Sequence, residues 1–291
     1  MKLTGRSGRL AGAFLLAVGA FAQQPLRIIA FGAHPDDCDI GMGGTAALFA
    51  EMGHKVKFVS VTNGDAGHHE MGGGALAKRR YAETQEVAKR LGITYDVLDN
   101  HDGELSPNYE VRKQIIRKIR EWNADVVIGP RINDYHPDHR YTGMLVQDAA
   151  YMVVVPNVAS DTPALKKNPV FLYFQDRFQK PQPFKPDVVV AIDETFEKKV
   201  NGLDAHVSQF YEWLPWVEGK LAEVPKDPVE RKRWLREKRM RPATPAIRGS
   251  AEKWYGPSAT KFQHFEAFEV AEYGAQPTEA EIRRLFPMLK K

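Results

Sequence analysis

The feature that most constrains this chain is the alternation, from residue 26 onward, of short β-branched or aromatic runs with longer stretches of helical period. That order of elements describes a parallel sheet covered by helices on both faces. The pattern predicts strands at Leu26 to Gly32, Lys55 to Thr62, Tyr95 to Leu98, Asp125 to Gly129, Val170 to Phe174 and Val188 to Ile192. Helices are expected between them, at Gly44 to Met52, Leu76 to Leu91, Tyr109 to Trp122, Arg140 to Val154 and Glu194 to Tyr211, each bordered by Gly, Pro, Asp or Asn. The fold class is therefore α/β: a Rossmann-like, mostly parallel sheet flanked by helices. With 291 residues, 43% of them hydrophobic, the chain can bury a core of that size.

Two ends depart from this pattern. Residues 1–22 carry Lys2, Arg6 and Arg9, then an apolar run from Leu10 to Phe21, then a small-x-small end at Ala20 to Ala22, the layout of a cleaved signal peptide. The run is shorter than the roughly 20 residues of a spanning helix, although retention as an anchor is the other reading. The expected product starts at Gln23 and is exported, to a periplasm or outside the cell, without stable membrane insertion. Losing those three cations takes the formal charge from +4 to +1, so nucleic acid is not an expected partner. Cys38 is the only cysteine, which excludes an internal disulfide and suits a small buried residue.

Beyond residue 213 the composition shifts, with Pro215, Pro225, Pro228, Pro242 and Pro245 around a basic stretch from Glu230 to Arg241. This gives a catalytic domain over 23–213 and a helical or irregular extension over 214–291 that packs on it. The charge run is expected to be a solvated helix face; a lid or a site for anionic glycans is the sharper alternative. Phe262, Phe265, Phe268 and Val270 mark a return to the core as a strand or short helix.

Chemistry concentrates in two loops. The first strand runs into Gly32-Ala33-His34-Pro35-Asp36-Asp37, and the fourth is followed by Asp134-Tyr135-His136-Pro137-Asp138-His139-Arg140. Open α/β sheets bind ligands at the carboxyl ends of their strands, so the two loops can meet over one edge. Pro35 stiffens the first and biases His34 away from helical geometry. Two histidines and a carboxylate would leave one tetrahedral position open, the pattern of a catalytic zinc, and Asp36 would be the spare base. A His-Pro-Asp triplet alone is more often a capped turn; the paired placement is what favours metal. His54, His68, His69, His101, His206 and His264 lack such context, with His68, His69 and His101 kept as crevice lining. Gly41, Gly43 and Gly44 lack the spacing of a dinucleotide loop and should start a helix whose N-terminus favours an anion.

Ala33-His34-Pro35-Asp36-Asp37, Gly43-Gly44-Thr45 and His136-Pro137-Asp138-His139 together resemble the LmbE-like, or PIG-L, family of N-acetylglucosaminyl deacetylases, over roughly residues 26–209. Thr62-Asn63-Gly64, Arg80 with Glu83, and Asp102-Gly103 extend the resemblance. It implies zinc on His34, Asp37 and His139, with iron(II) also accepted by such donors. It further implies Asp36 as general base, a protonated His136 as carbonyl-polarising group, and Asp138 as orienter of a histidine. Arg80 and Asp102 fall on sugar-contacting positions, although Arg80 and Glu83 could equally form a helix-surface ion pair. Cys38 stands where many relatives carry Glu. The implied activity is hydrolysis of an N-acetyl group on an amino sugar. A zinc amidase for another N-acyl group and a binding protein without turnover are the competing readings.

Overall fold

The structure, a computed structural model, describes residues 24–239 and 242–289; the signal-peptide expectation for 1–22 lies outside them. The elements run β1 (Arg27–Gly32), α1 (Asp37–Glu51), β2 (Lys55–Thr62), α2 (Gly73–Leu91), β3 (Thr94–Asn100), α3 (Tyr109–Trp122), β4 (Val126–Gly129), α4 (Pro137–Met152), β5 (Val170–Phe174) and β6 (Val188–Ala191). There follow α5 (Phe196–Ala205), a wider turn of π-helix at Ser208–Trp213, α6 (Leu214–Val217), α7 (Pro228–Arg239), α8 (Pro245–Tyr255), β7 (Phe265–Gly274) and α9 (Glu279–Leu285).

One seven-stranded sheet has the order β3-β2-β1-β4-β5-β7-β6. The first five strands are parallel, with Ile28 opposite both Val56 and Val126, while β7 pairs antiparallel with β5 and β6. Chain order reverses between β1 and β4, and a crevice opens at their carboxyl ends, where such folds take ligands. The central strands are apolar on both faces, as burial under two helical layers demands. Ile28, Ala30, Phe58 and Ile128 pack towards α1, α2 and α5; Ile29, Phe31, Val59 and Val127 face α3 and α4. Cys38 is fully buried, as its sequence context suggests.

The extension does more than cover the domain, because β7 lies inside the sheet between β5 and β6. Among the described residues of the basic stretch, α7 is anchored by Leu235 within a small cluster with Leu203, Phe210 and Tyr211. Its cations are partly engaged: Arg231 sits 4.2 Å from the Tyr211 ring centroid, Lys232 bonds Asn201 and Arg236 pairs with Glu197.

The helix expected from Gly44 starts at Asp37 instead and breaks at Met42, whose φ of −150° is not helical. The glycines serve packing here. A Cβ on Gly41 would lie 2.6 Å from the Phe174 ring, and one on Gly44 2.7 Å from Ile192. The break exposes new amide donors, and the anion expected there is internal. Glu266 of β7, 3% exposed, accepts from the Gly44 and Thr45 amides at 3.0 and 2.7 Å and pairs with Lys199 at 2.6 Å.

Candidate metal centre and active site

The loop after β1 and the start of α4 after β4 converge, as their strands are adjacent. His34 Nδ1, Asp37 Oδ2 and His139 Nε2 form a triangle with edges of 3.6, 3.5 and 3.2 Å. A tetrahedral ion with bonds of about 2.0–2.1 Å needs donor atoms about 3.3–3.4 Å apart, so the triangle fits one. Both imidazoles also turn their second nitrogen to a carboxylate. His34 Nε2 lies 3.2 Å from Asp138 and 3.1 Å from Asp102, and His139 Nδ1 lies 3.1 Å from Asp134. Such backing is how ligating histidines are oriented and made more basic.

Two broader groupings, His34 with His136 and His139, and His34 with Asp102, His136 and Asp138, also lie within 4.8 Å. The triangle is the better metal seat because His136 uses its Nδ1 to cap α4, accepting from the Asp138 amide at 3.2 Å. That cap leaves the proton on Nε2. Burial, then the charges of His34 and His139, push His136 below the ordinary histidine value. Protonated, as expected above, or neutral, the imidazole remains a hydrogen-bond donor through Nε2.

The cluster's electrostatics favour a cation. Burial alone would lower His34, but its bonds to Asp102 and Asp138 and the charge of Asp37 lift it to about 10. A hollow that holds a proton so firmly offers the same negative field to a divalent ion. Burial would raise Asp37, yet the charges of His139 and His34 hold it below the usual carboxylate range.

Asp36 is the neighbouring acid that this network leaves free. Its φ of 151° is a conformation that non-glycine residues rarely adopt, and though it precedes α1 its side chain makes no cap. Burial raises its carboxyl to about 6, opposed by Arg80, 3.6 Å away.

Arg80 and Glu83 do not form the surface ion pair considered above. Arg80 is 2% exposed; it donates to Pro35 O at 2.9 Å and Gly64 O at 3.3 Å and lies 3.7 Å from Asp102. Glu83 instead accepts from the amide and hydroxyl of Ser208. One turn of helix thus binds the first metal loop while the next binds the π-turn. Asp102 reaches His34, Arg80 and the cavity wall at once.

Several residues went unread in the sequence. Asp134 stood inside the second motif, and its spacing to His139 was the available signal. Tyr135, 72% exposed, overhangs His139 with ring centroids 5.8 Å apart. Trp213 of the cavity wall continues through Trp216 and His69 to His68 in one ring stack, and His68, His69 and His101, expected as crevice lining, are not among the lining residues. Glu212 braces the stack, accepting from Arg79 at 2.7 and 2.6 Å and from His68 at 2.8 Å. Of the histidines without context, His206 is fully buried against Asp39, and His101 is exposed and bonded to Asp65.

One cavity of about 750 Å³, within the range of small-molecule sites, is lined by His34, Asp36, Asp37, Asp102, His136 and His139. Among the described residues no helix is long and apolar enough to cross a membrane.

The PIG-L family profile, described as GlcNAc-PI de-N-acetylase, matches residues 29–150, which span both motif loops. A diacetylchitobiose deacetylase of Thermococcus kodakarensis is 32% identical over 204 residues, covering 65% of this chain and 73% of that protein. A probable N-acetyl-α-D-glucosaminyl L-malate deacetylase of Bacillus cereus is 28% identical, over 60% of this chain and 80% of its own. In structure, the N,N'-diacetylchitobiose deacetylase of Pyrococcus horikoshii superposes with a TM-score of 0.62 at 27% identity, over 84% of this chain and 83% of that one. With both motif loops inside the matched segment, the chain belongs to the PIG-L, or LmbE-like, family of deacetylases.

Proposed function

We propose that this protein is a metal-dependent hydrolase that removes the acetyl group from an N-acetylglucosamine-type substrate, releasing acetate and a free amine. The carrying observation is the carboxylate-backed triangle of His34, Asp37 and His139 beside the uncommitted Asp36. The names of the relatives support the substrate class. Zinc is the proposed ion, held by those three residues, and iron(II) suits the same donors. When bound, the ion supplies Lewis-acid polarisation of the amide oxygen and brings water near a pKa of about 7.

The chain's own groups do the rest. Asp36 takes the proton of the attacking water and returns it to the departing amine. Arg80 holds that loop through the Pro35 carbonyl and faces the Asp36 carboxylate, keeping it aimed. His136, with its Nε2 proton, donates to the oxyanion as the carbonyl becomes tetrahedral. Asp138 and Asp102 fix the ring of His34, and Asp102, on the cavity wall, also receives a sugar hydroxyl. Export of a chain beginning at Gln23 belongs to the same proposal and rests on residues 1–22 alone.

The test is acetate release from a panel of N-acetylglucosamine derivatives, with and without a chelator. Chelation is expected to abolish release. Asp36→Asn should lose about 10²- to 10⁴-fold in kcat while retaining its metal, and His139→Ala should lose the metal. Full turnover by Asp36→Asn would overturn the assignment of the base.

A further inference from the structure

The cavity does not end at the polar cluster. Ile40 and Gly41 lie one helical turn after Asp37, on the same side of α1, and both line it. Gly41 leaves room for the Phe174 ring, and the same cavity is lined by Ile192, Phe196, Leu203, Phe210 and Ile247. These side chains are 8% exposed or less, so this arm lies inside the fold. Of the polar residues beside these side chains, Lys199 and Glu266 pair with each other and the His264 ring stacks on Phe196 at 3.6 Å, while Gln175 and Arg177 border the same cavity. Such apolar walls leave the hydroxyls of a polyhydroxylated sugar without hydrogen-bond partners, and an acetyl methyl needs only the first few of them.

Resting on the deacetylase reading above, we infer that the arm takes the apolar tail of an N-acyl group longer than acetyl, so that the protein is an N-deacylase for acyl amino sugars. The arm begins beside the donors that would face the scissile carbonyl, which places the acyl substituent, rather than the sugar, on its side. In the reaction the oxygen of water bonds to the acyl carbon and the C–N bond breaks. The nitrogen keeps the electron pair and takes a proton, giving a fatty carboxylate and a free amino sugar.

Hydrolysis of N-acetyl-, N-butanoyl-, N-hexanoyl- and N-octanoylglucosamine by the metal-loaded protein tests this, beside octyl glycosides of N-acetylglucosamine. Each buried methylene is expected to raise kcat/KM about fourfold until the arm is full. Binding of the same amides to Asp36→Asn, by calorimetry, should follow the same order without turnover. Ala243→Trp, a half-buried position on the arm wall, should bring the long-chain to acetyl ratio back towards one, with its melting temperature as the folding control. A flat acyl series beside normal acetate release would overturn the inference and spare the deacetylase. A gain confined to octyl glycosides, or one that Ala243→Trp leaves intact, would also overturn it. Binding by Asp36→Asn without hydrolysis of any amide by the wild type would instead sink the enzymatic reading.

Discussion

Replacing Glu266 by Gln tests whether the tail is part of the catalytic domain's foundation. The carboxylate is 3% exposed, Lys199 is 8% exposed, and their 2.6 Å contact joins β7 to α5. The same two oxygens cap the break in α1 through Gly44 and Thr45. Glutamine keeps the shape but leaves the ammonium buried without a counter-charge. Breaking a buried pair from one side typically costs about 3–5 kcal/mol. At about 2–4 °C per kcal/mol for a domain of this class, the melting temperature should fall by roughly 6–20 °C. Lys199→Met in the same chain removes the stranded charge, so the double variant should recover most of the loss and retain a cap deficit of about 1 kcal/mol. Urea denaturation of the four chains of this cycle provides the free energies. A loss below about 1 kcal/mol in Glu266→Gln, or a double variant no more stable than it, would refute the argument that a paired charge holds this junction.

The remaining predictions concern packing, protons and the metal. Gly44→Ala places a Cβ 2.7 Å from Ile192 and should destabilise by about 1–3 kcal/mol, read from urea midpoints. Burial would raise Asp96, but hydrogen bonds from Lys57 and Lys118 hold it below the usual value. A depressed carboxyl stabilises above its unfolded value, about 3.9, and the benefit fades as pH falls through the folded one. Asp96→Asn should therefore cost about 0.5–1 kcal/mol at pH 7 and progressively less in acid, as measured by melts across pH. His34, held near 10 by its carboxylates, must free Nδ1 to ligate, so zinc uptake at pH 7 should release protons. Calorimetry in buffers of different ionisation enthalpy would count them; no release would contradict His34 as a ligand.

Much of the sheet was readable because its strands are buried on both faces and carry the apolar, β-branched runs that this requires. β2, β5 and α3 have the bounds expected from residue pattern alone. The start of α1 was not readable, since Gly41, Gly43 and Gly44 have poor helix propensity and the partner that caps the break, Glu266, is more than two hundred residues away. The same distance hid the position of β7. Phe265 and Phe268 announced a return to the core, but whether as strand or helix was decided by the open edges of β5 and β6.

The site divides along the same line. Its donors sit in two short loops directly after adjacent central strands, so the chain's local order already implies their meeting in space. What each donor does is set by partners that no local pattern reveals. Asp102 and Asp138 both turn to His34, which leaves Nδ1 for the ion, and the helix cap on His136 settles which of its nitrogens carries the proton. Arg80 reads as a surface cation by spacing and is buried against Pro35 and Asp36. The arm is less local still: Phe174 comes from β5, Leu203 from α5, Phe210 from the π-turn and Ile247 from α8. Catalytic chemistry, carried by two loops of fixed order, can therefore persist while the acyl group accepted changes through elements that share no motif. Substitutions along the arm should alter chain-length preference without moving a metal donor.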